Sequence, residues 1–189
     1  MRSKIMVISD THEDAIATKW VLDYLEENDI DKIIHLGDYY SDALIIEEHG
    51  YELIKVPGTW DHLYYQNPSV NNRKFVDIAG WKLFLSHTPE SHYNDSYDDL
   101  KPENIIFTGK ADIFLYGHTH LAEVKHKNGM IFVNPGHMSN DEERGCPLTY
   151  AILEIDEEWL TVSIKRLFHD KTYIKKHFQK SLLKDVVAS

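Results

Sequence analysis

The stretch Lys4-Ile5-Met6-Val7-Ile8-Ser9-Asp10-Thr11-His12 decides how this chain reads. Its first half is a short apolar run with β-branched Ile5, Val7 and Ile8, the pattern of a strand buried on both faces. It ends abruptly on Asp10-x-His12, two side chains that bind metals. The same arrangement recurs three times. Lys32 to Leu36 runs into Gly37-Asp38, Trp81 to Ser86 into His87, and Asp112 to Tyr116 into Gly117-His118-Thr119-His120. In a mostly parallel sheet the strand C-terminal ends lie along one edge, where open α/β sheets bind ligands. The expectation is that Asp10, His12, Asp38, His87, His118 and His120 converge.

Outward from these strands, Ala15, Ile16, Trp20, Val21, Leu22 and Leu25 fall near 3.6-residue spacing behind acidic Glu13 and Asp14, which predicts a helix over about 13–28. Further strands are expected at Tyr51 to Val56, Arg73 to Ala79, Leu148 to Ile155 and Leu160 to Phe168. Ala122 to His126 and Met130 to Val133 should form a hairpin around Asn128-Gly129. The alternation of strands with helical patterns is that of an α/β fold. The tail from Tyr173 to Val187 reads as a basic helix, since residues 165–189 hold seven Lys or Arg against two Asp; the region from about 169 to 189 is taken as a C-terminal helical tail. The polar, acidic segment Thr88 to Asn104 reads as a lid or as a plain surface loop.

The 189 residues fit one domain spanning 1–189. A net charge of −11 repels nucleic-acid phosphates, so sequence-independent nucleic-acid binding is not expected. The single cysteine, Cys146, excludes an internal disulfide and a thiolate metal cluster as the basis of the fold. No apolar run approaches the ~20 residues of a membrane span, and Ile5 to Ile8 is too short for a secretory signal. A cytoplasmic location and no membrane partner are expected.

Two Asp and four His with no thiolate make a donor set for borderline divalent ions. Two such ions held about 4 Å apart can activate a hydroxide and clamp a phosphoryl group for in-line displacement. The chemistry expected is phosphoester hydrolysis. His35, inside a strand, reads as core, and His49, His126, His169 and His177 read as surface. Asn134-Pro135-Gly136 reads as a backbone turn near the same edge, with Asn134 and His137 as candidates to support the ligands.

Taken in order, Asp10-x-His12, Gly37-Asp38, Gly58-Thr59-Trp60-Asp61, His87, Gly117-His118-x-His120 and Asn134-Pro135-Gly136 resemble the calcineurin-like metallophosphoesterase superfamily, most closely its small single-domain bacterial and archaeal phosphodiesterases. The resemblance implies a four-layer αββα sandwich, two mixed sheets flanked by helices, with a dinuclear metal centre. It implies Asp10, His12, Asp38 and His120 around one ion, and Asp38 bridging to a second held by His87 and His118. It also implies two divalent ions, manganese foremost, with nickel, iron or zinc as alternatives. The expected substrate is a small-molecule or nucleotide phosphodiester, and a homo-oligomer is compatible with it. The departure is Thr59, where the family has an Asn ligand. A hydroxyl is shorter and a poorer ligand, so the second ion should be held more weakly, or with help from water or Asp61. Trp60 stands where many relatives carry a His that assists the leaving group, and His62 is the candidate general acid in its place. Trp60, Tyr39, Tyr64 and Tyr65 are alternatively a stacking surface for a base. The rival class is an interaction module on the same fold, as in the retromer subunit that resembles these enzymes. A mononuclear hydrolase of another bond is a third reading.

Overall fold

The structure is a computed structural model that describes residues 2–59, 61, 69–139, 145–169 and 171–183. Strand β1 (Ser3–Ile8) is buried on both faces, as its unbroken apolar run requires. Ile5 and Val7 point into one core and Met6 and Ile8 into another, and that alternation sets the layering of the molecule. Helix α1 (Ala15–Glu27) follows. Its N-cap is Asp14, whose Oδ1 accepts from the backbone N–H of Ile16 at 3.0 Å and of Ala17 at 2.9 Å. Then come β2 (Lys32–His35), helix α2 (Asp42–Glu48) and β3 (Leu53–Lys55). The second half of the order is β4 (Arg73–Ile78), β5 (Trp81–Ser86), α3 (Pro102–Thr108), β6 (Ile113–Leu115), β7 (Glu123–Lys127), β8 (Met130–Asn134), β9 (Thr149–Ile155), β10 (Trp159–Arg166) and β11 (Lys171–Gln179).

The strands form two mixed sheets. One has six strands in the order β11-β10-β9-β1-β2-β3, the other five in the order β4-β5-β6-β8-β7. Strands β1, β2 and β3 run parallel in the first, and β5, β6 and β8 in the second. Between the sheets lies a core of Ile5, Val7, Leu83, Leu85, Leu115 and Val162 with their neighbours. Helices α1 and α2 cover the outside of the first sheet through Val21, Leu25 and Ile46 against Met6, Ile8 and Ile33. On the outside of the second, Ile105 of α3 packs on Phe84 and Phe114. The result is the expected αββα sandwich. Burying each such Ile, Leu or Phe contributes about 1.5–3 kcal/mol. The β7–β8 hairpin turns through Asn128 and Gly129, both at positive φ of 52° and 76°, as a primed two-residue turn requires.

Two expectations need correction. The ligand-bearing strands do not share one sheet edge, since β1 and β2 belong to one sheet and β5 and β6 to the other; convergence occurs across the gap between sheets. The tail is not helical either. Lys171–Gln179 is β11, antiparallel to β10, followed by a 3₁₀ turn at Lys180–Leu182. Ile174 and Phe178 lie four apart, which suits one face of a helix but equally one face of a strand. β10 offers an open edge, and pairing there lets both residues pack on the inter-sheet core. The lysines then sit on an exposed outer strand, a common guard against edge-to-edge aggregation. Residues 184–189 lie outside the described set. Among the described residues no helix is long and apolar enough to cross a membrane.

Candidate metal centre

The backbone turns sharply as it leaves three of the four ligand-bearing strands, β1, β2 and β6. Asp10, His12, Asp38, His118 and His120 all adopt positive φ, between 40° and 64°. Such conformations cost non-glycine residues of order 1–3 kcal/mol and persist only where the surroundings enforce them. The enforcing contacts are visible. Asp10 N–H donates to Gly37 O at 2.9 Å, Gly117 N–H to His87 O at 2.9 Å, and Met138 N–H to Asp10 O at 3.2 Å. These bonds stitch the strand ends together. Glycine is needed at two of the crossings. A Cβ on Gly58 would lie 1.6 Å from Asp38 Oδ1, and one on Gly117 would lie 1.9 Å from Ser9 Oγ.

The six expected ligands gather into two triads. Asp10, His12 and His120 form one, and Asp38, His87 and His118 the other, the donor atoms of each lying within 4.8 Å of one another. In the first, His120 Nε2 is 2.9 Å and His12 Nε2 4.0 Å from Asp10 Oδ1. In the second, His87 Nε2 is 3.2 Å from Asp38 Oδ2. The triads are linked through Asp10 Oδ2, which accepts from the His118 backbone N–H at 3.1 Å and from Ser9 Oγ at 2.5 Å. His87 Nδ1 donates to Leu36 O at 2.8 Å, which leaves Nε2 facing the triad.

The donor set fits divalent ions. Asp10 Oδ1 and His87 Nε2 are buried, yet neither makes a hydrogen bond of acceptable geometry. Buried polar atoms that converge in this way, carboxylate oxygens with imidazole nitrogens, are a set that could hold a cation. Thr59 Oγ1 is also buried without a hydrogen bond. The charges tell the same story. Burial alone would raise Asp10, but His120 and His87 beside it hold its carboxyl down at about 2. Burial disfavours a proton on His87, yet the carboxylates of Asp38 and Asp10 lift it to about 9. Asp38 stays below its usual range because His87 outweighs its burial. Without an ion, the carboxylates thus draw their positive charge from an imidazole.

Around the triads, Asn134 Nδ2 donates to Gly117 O and to Thr119 Oγ1, both at 2.9 Å, while its Oδ1 accepts from Gly136 N–H at 2.8 Å. It braces the turn that carries His118 and His120. The His137 ring stacks on His120 at 5.0 Å between centroids. His35 is fully buried, as read from its strand, and burial pushes it down to about 4. Its Nδ1 accepts from Gly37 N–H at 3.2 Å, and its Nε2 faces Thr11 Oγ1 at 3.2 Å. Asp61 accepts from the backbone N–H of Tyr40 at 3.1 Å and of Gly58 at 2.7 Å, so its carboxylate is engaged by the main chain. A pocket of about 220 Å³ opens between His12, Asp38, Tyr39 and Asp61. Tyr39 meets the His12 ring edge-on at 5.5 Å. Trp60, His62, Tyr64 and Tyr65 lie outside the described residues.

The segment leading from β5 to α3, which the sequence marked only as a lid or a plain surface loop, carries contacts to the centre that the sequence did not assign to any of its residues. Arg73 on β4 is buried and forms a two-pronged ion pair with Asp95 at 2.9 Å for each prong. Beyond it, the His92 ring lies 6.1 Å from that of His118, and Asn94 Nδ2 donates to Thr59 O at 2.7 Å. No spacing rule links these positions.

Two mixed sheets with a histidine- and aspartate-rich centre at their facing strand ends define the metallophosphoesterase class. The chain belongs to the calcineurin-like phosphoesterase superfamily, whose domain model matches residues 3–158. It is 27% identical to phosphodiesterase YfcE of Escherichia coli K12 over 172 residues, covering 81% of this chain and 88% of that protein. Its fold is similar to that of a conserved predicted phosphoesterase from Streptococcus pneumoniae TIGR4, with a TM-score of 0.71, 23% identity and coverage of 95% and 98% of the two chains. It is also similar to Vacuolar Protein Sorting 29 of Cryptosporidium parvum, with a TM-score of 0.72, 19% identity and coverage of 95% and 99%.

Proposed function

We propose that the chain is a divalent-metal-dependent phosphodiesterase with a dinuclear centre. The observation that carries this reading is the convergence of six metal-binding side chains, from four strands in two sheets, into two adjacent triads. Asp10, His12 and His120 would hold one ion and Asp38, His87 and His118 the other, with manganese favoured and nickel, iron or zinc as alternatives. Ions bound there supply Lewis-acid activation of water and neutralisation of phosphoryl charge. The chain's own residues do the rest. Asp10 and Asp38 give the centre its negative charge, and the Leu36 carbonyl fixes the tautomer of His87. Tyr39 and Asp61 line a pocket beside the centre, where a small-molecule or nucleotide phosphodiester is the proposed substrate. His62 is the proposed proton donor to the leaving group.

Thr59 separates this centre from one with an amide at the same place, and the second triad is accordingly the weaker binder. Asp38→Asn tests the reading: it removes charge from the second triad without changing shape. The expected result is loss of metal-dependent hydrolysis of a chromogenic phosphodiester by at least about 100-fold, with an unchanged circular-dichroism spectrum. An unchanged rate would sink the proposal. The second reading, a non-catalytic interaction module, draws on Thr59 and on Asp61 being held by backbone N–H groups. Absence of hydrolysis with every one of the four ions would favour it.

A further inference from the structure

Arg73 is a buried cation beside the centre to which the proposed chemistry gives no role. Its side chain is 1% exposed, a costly place for a cation unless its partners are arranged for it. They are. The guanidinium Nε donates to Ser86 Oγ and Nη2 to Thr88 Oγ1, each at 2.9 Å, so it grips both neighbours of His87. Ser86 Oγ in turn donates to Thr88 O at 2.7 Å, closing a small ring of bonds behind the ligand. The other side of the same guanidinium holds the crossing segment through the Asp95 carboxylate and, at 3.0 Å, Leu100 O. Asp95 Oδ2 also accepts the His92 backbone N–H at 3.0 Å. Two residues of the held segment then reach the second triad's surroundings, His92 beside the His118 ring and Asn94 on Thr59 O.

We propose that Arg73 is a positioning residue for the second triad: it fixes His87 from behind and the segment 88–100 from the side, and so sets how tightly Asp38, His87 and His118 hold their ion. The proposal rests on the dinuclear reading above. Residues that orient ligands typically contribute 10- to 100-fold in metal affinity. The planar fork matters as much as the charge, because a lysine cannot meet Ser86, Thr88 and both oxygens of Asp95 at once. The first triad has no bond to Arg73 and should not respond.

The test is calorimetric titration of the chelated full chain with Mn²⁺. The two binding steps are assigned with His120→Gln, which cripples the first triad, and His118→Gln, which cripples the second. Arg73→Lys is expected to weaken the second step by roughly 10- to 100-fold and leave the first within about twofold. Asn94→Ala, an exchange at the far end of the chain of contacts, is expected to weaken the same step less and to leave the melting temperature unchanged. Equal loss at both steps, or no loss at the second in folded Arg73→Lys and Asn94→Ala proteins, would overturn the proposal. If Arg73→Lys fails to fold, Asn94→Ala and Asp95→Asn decide it by the same criterion. A single binding step in the unsubstituted chain would instead refute the dinuclear reading, and this proposal with it.

Discussion

His35 shows how far a single side chain's setting can be turned into a measurement. Fully buried, it is held down at about 4 because burial disfavours its charged form. The unfolded chain therefore binds a proton that the folded one refuses between pH 6.5 and 4. The corresponding stability is complete above about pH 6.5 and is lost as pH falls to about 4, a total of roughly 3 kcal/mol. His118 and His137 are also held below the usual range by burial and add to the slope, so the comparison with His35→Gln isolates the term. Urea unfolding of the chelated protein at pH 7 and pH 4.5 should show a smaller pH loss in the variant. An equal loss would mean that His35 titrates normally. Gly58 gives a steric counterpart. The Cβ of Gly58→Ala would meet Asp38 Oδ1 at 1.6 Å, so that variant should lose about 1–3 kcal/mol of stability together with second-ion binding, both read by thermal melts with and without Mn²⁺. All six triad residues were legible in the sequence because each directly follows a strand or lies within its turn. Arg73, His92 and Asn94 were not, since a buried ion pair across 22 positions leaves no local pattern.

At the scale of elements, strands read well because their apolar runs are short and bounded, whereas α2 and α3 escaped notice. Each has only seven residues, two turns at most, and α3 begins with Pro102 inside a stretch that reads as polar loop. That stretch is tied back at Arg73 and, through Ser91, at Glu103, so its order comes from tertiary bonds rather than from its own propensity. β11 is the instructive error. Its apolar spacing of four fitted helix and strand alike, and only the open edge of β10 decided between them. If β11 truly packs on the inter-sheet core, Ile174→Asp should lower the unfolding free energy by about 1–2 kcal/mol, measured by denaturant titration. Lys175→Ala, on the exposed face, should change it by less than about 0.5 kcal/mol. Equal, small effects from both would show that the strand contributes little.

For the whole molecule, the two sheets do more than enclose a core. Each contributes two of the four ligand-bearing strands, so the centre exists only when both sheets face one another. Ion binding and folding must then be coupled. Each ion bound at 100 times its dissociation constant should add about 2.7 kcal/mol to stability, visible as a higher melting temperature when Mn²⁺ is returned to chelated protein. His118→Gln should lose part of that gain and His118→Gln with His120→Gln nearly all of it. Charge also acts at this scale, since a net −11 sets up a field that repels other polyanions.

The most direct test of the central claim is metal stoichiometry of the purified chain after loading with Mn²⁺, paired with hydrolysis of bis(p-nitrophenyl) phosphate and repeated on Thr59→Asn. Two ions per chain, turnover that vanishes on chelation and returns with metal, and tighter second-ion binding in Thr59→Asn are the predicted results. One ion or none in the natural chain, with no turnover under manganese, nickel, iron or zinc and hydrolysis appearing only in Thr59→Asn, would contradict the account and mark the centre as one that has lost catalysis.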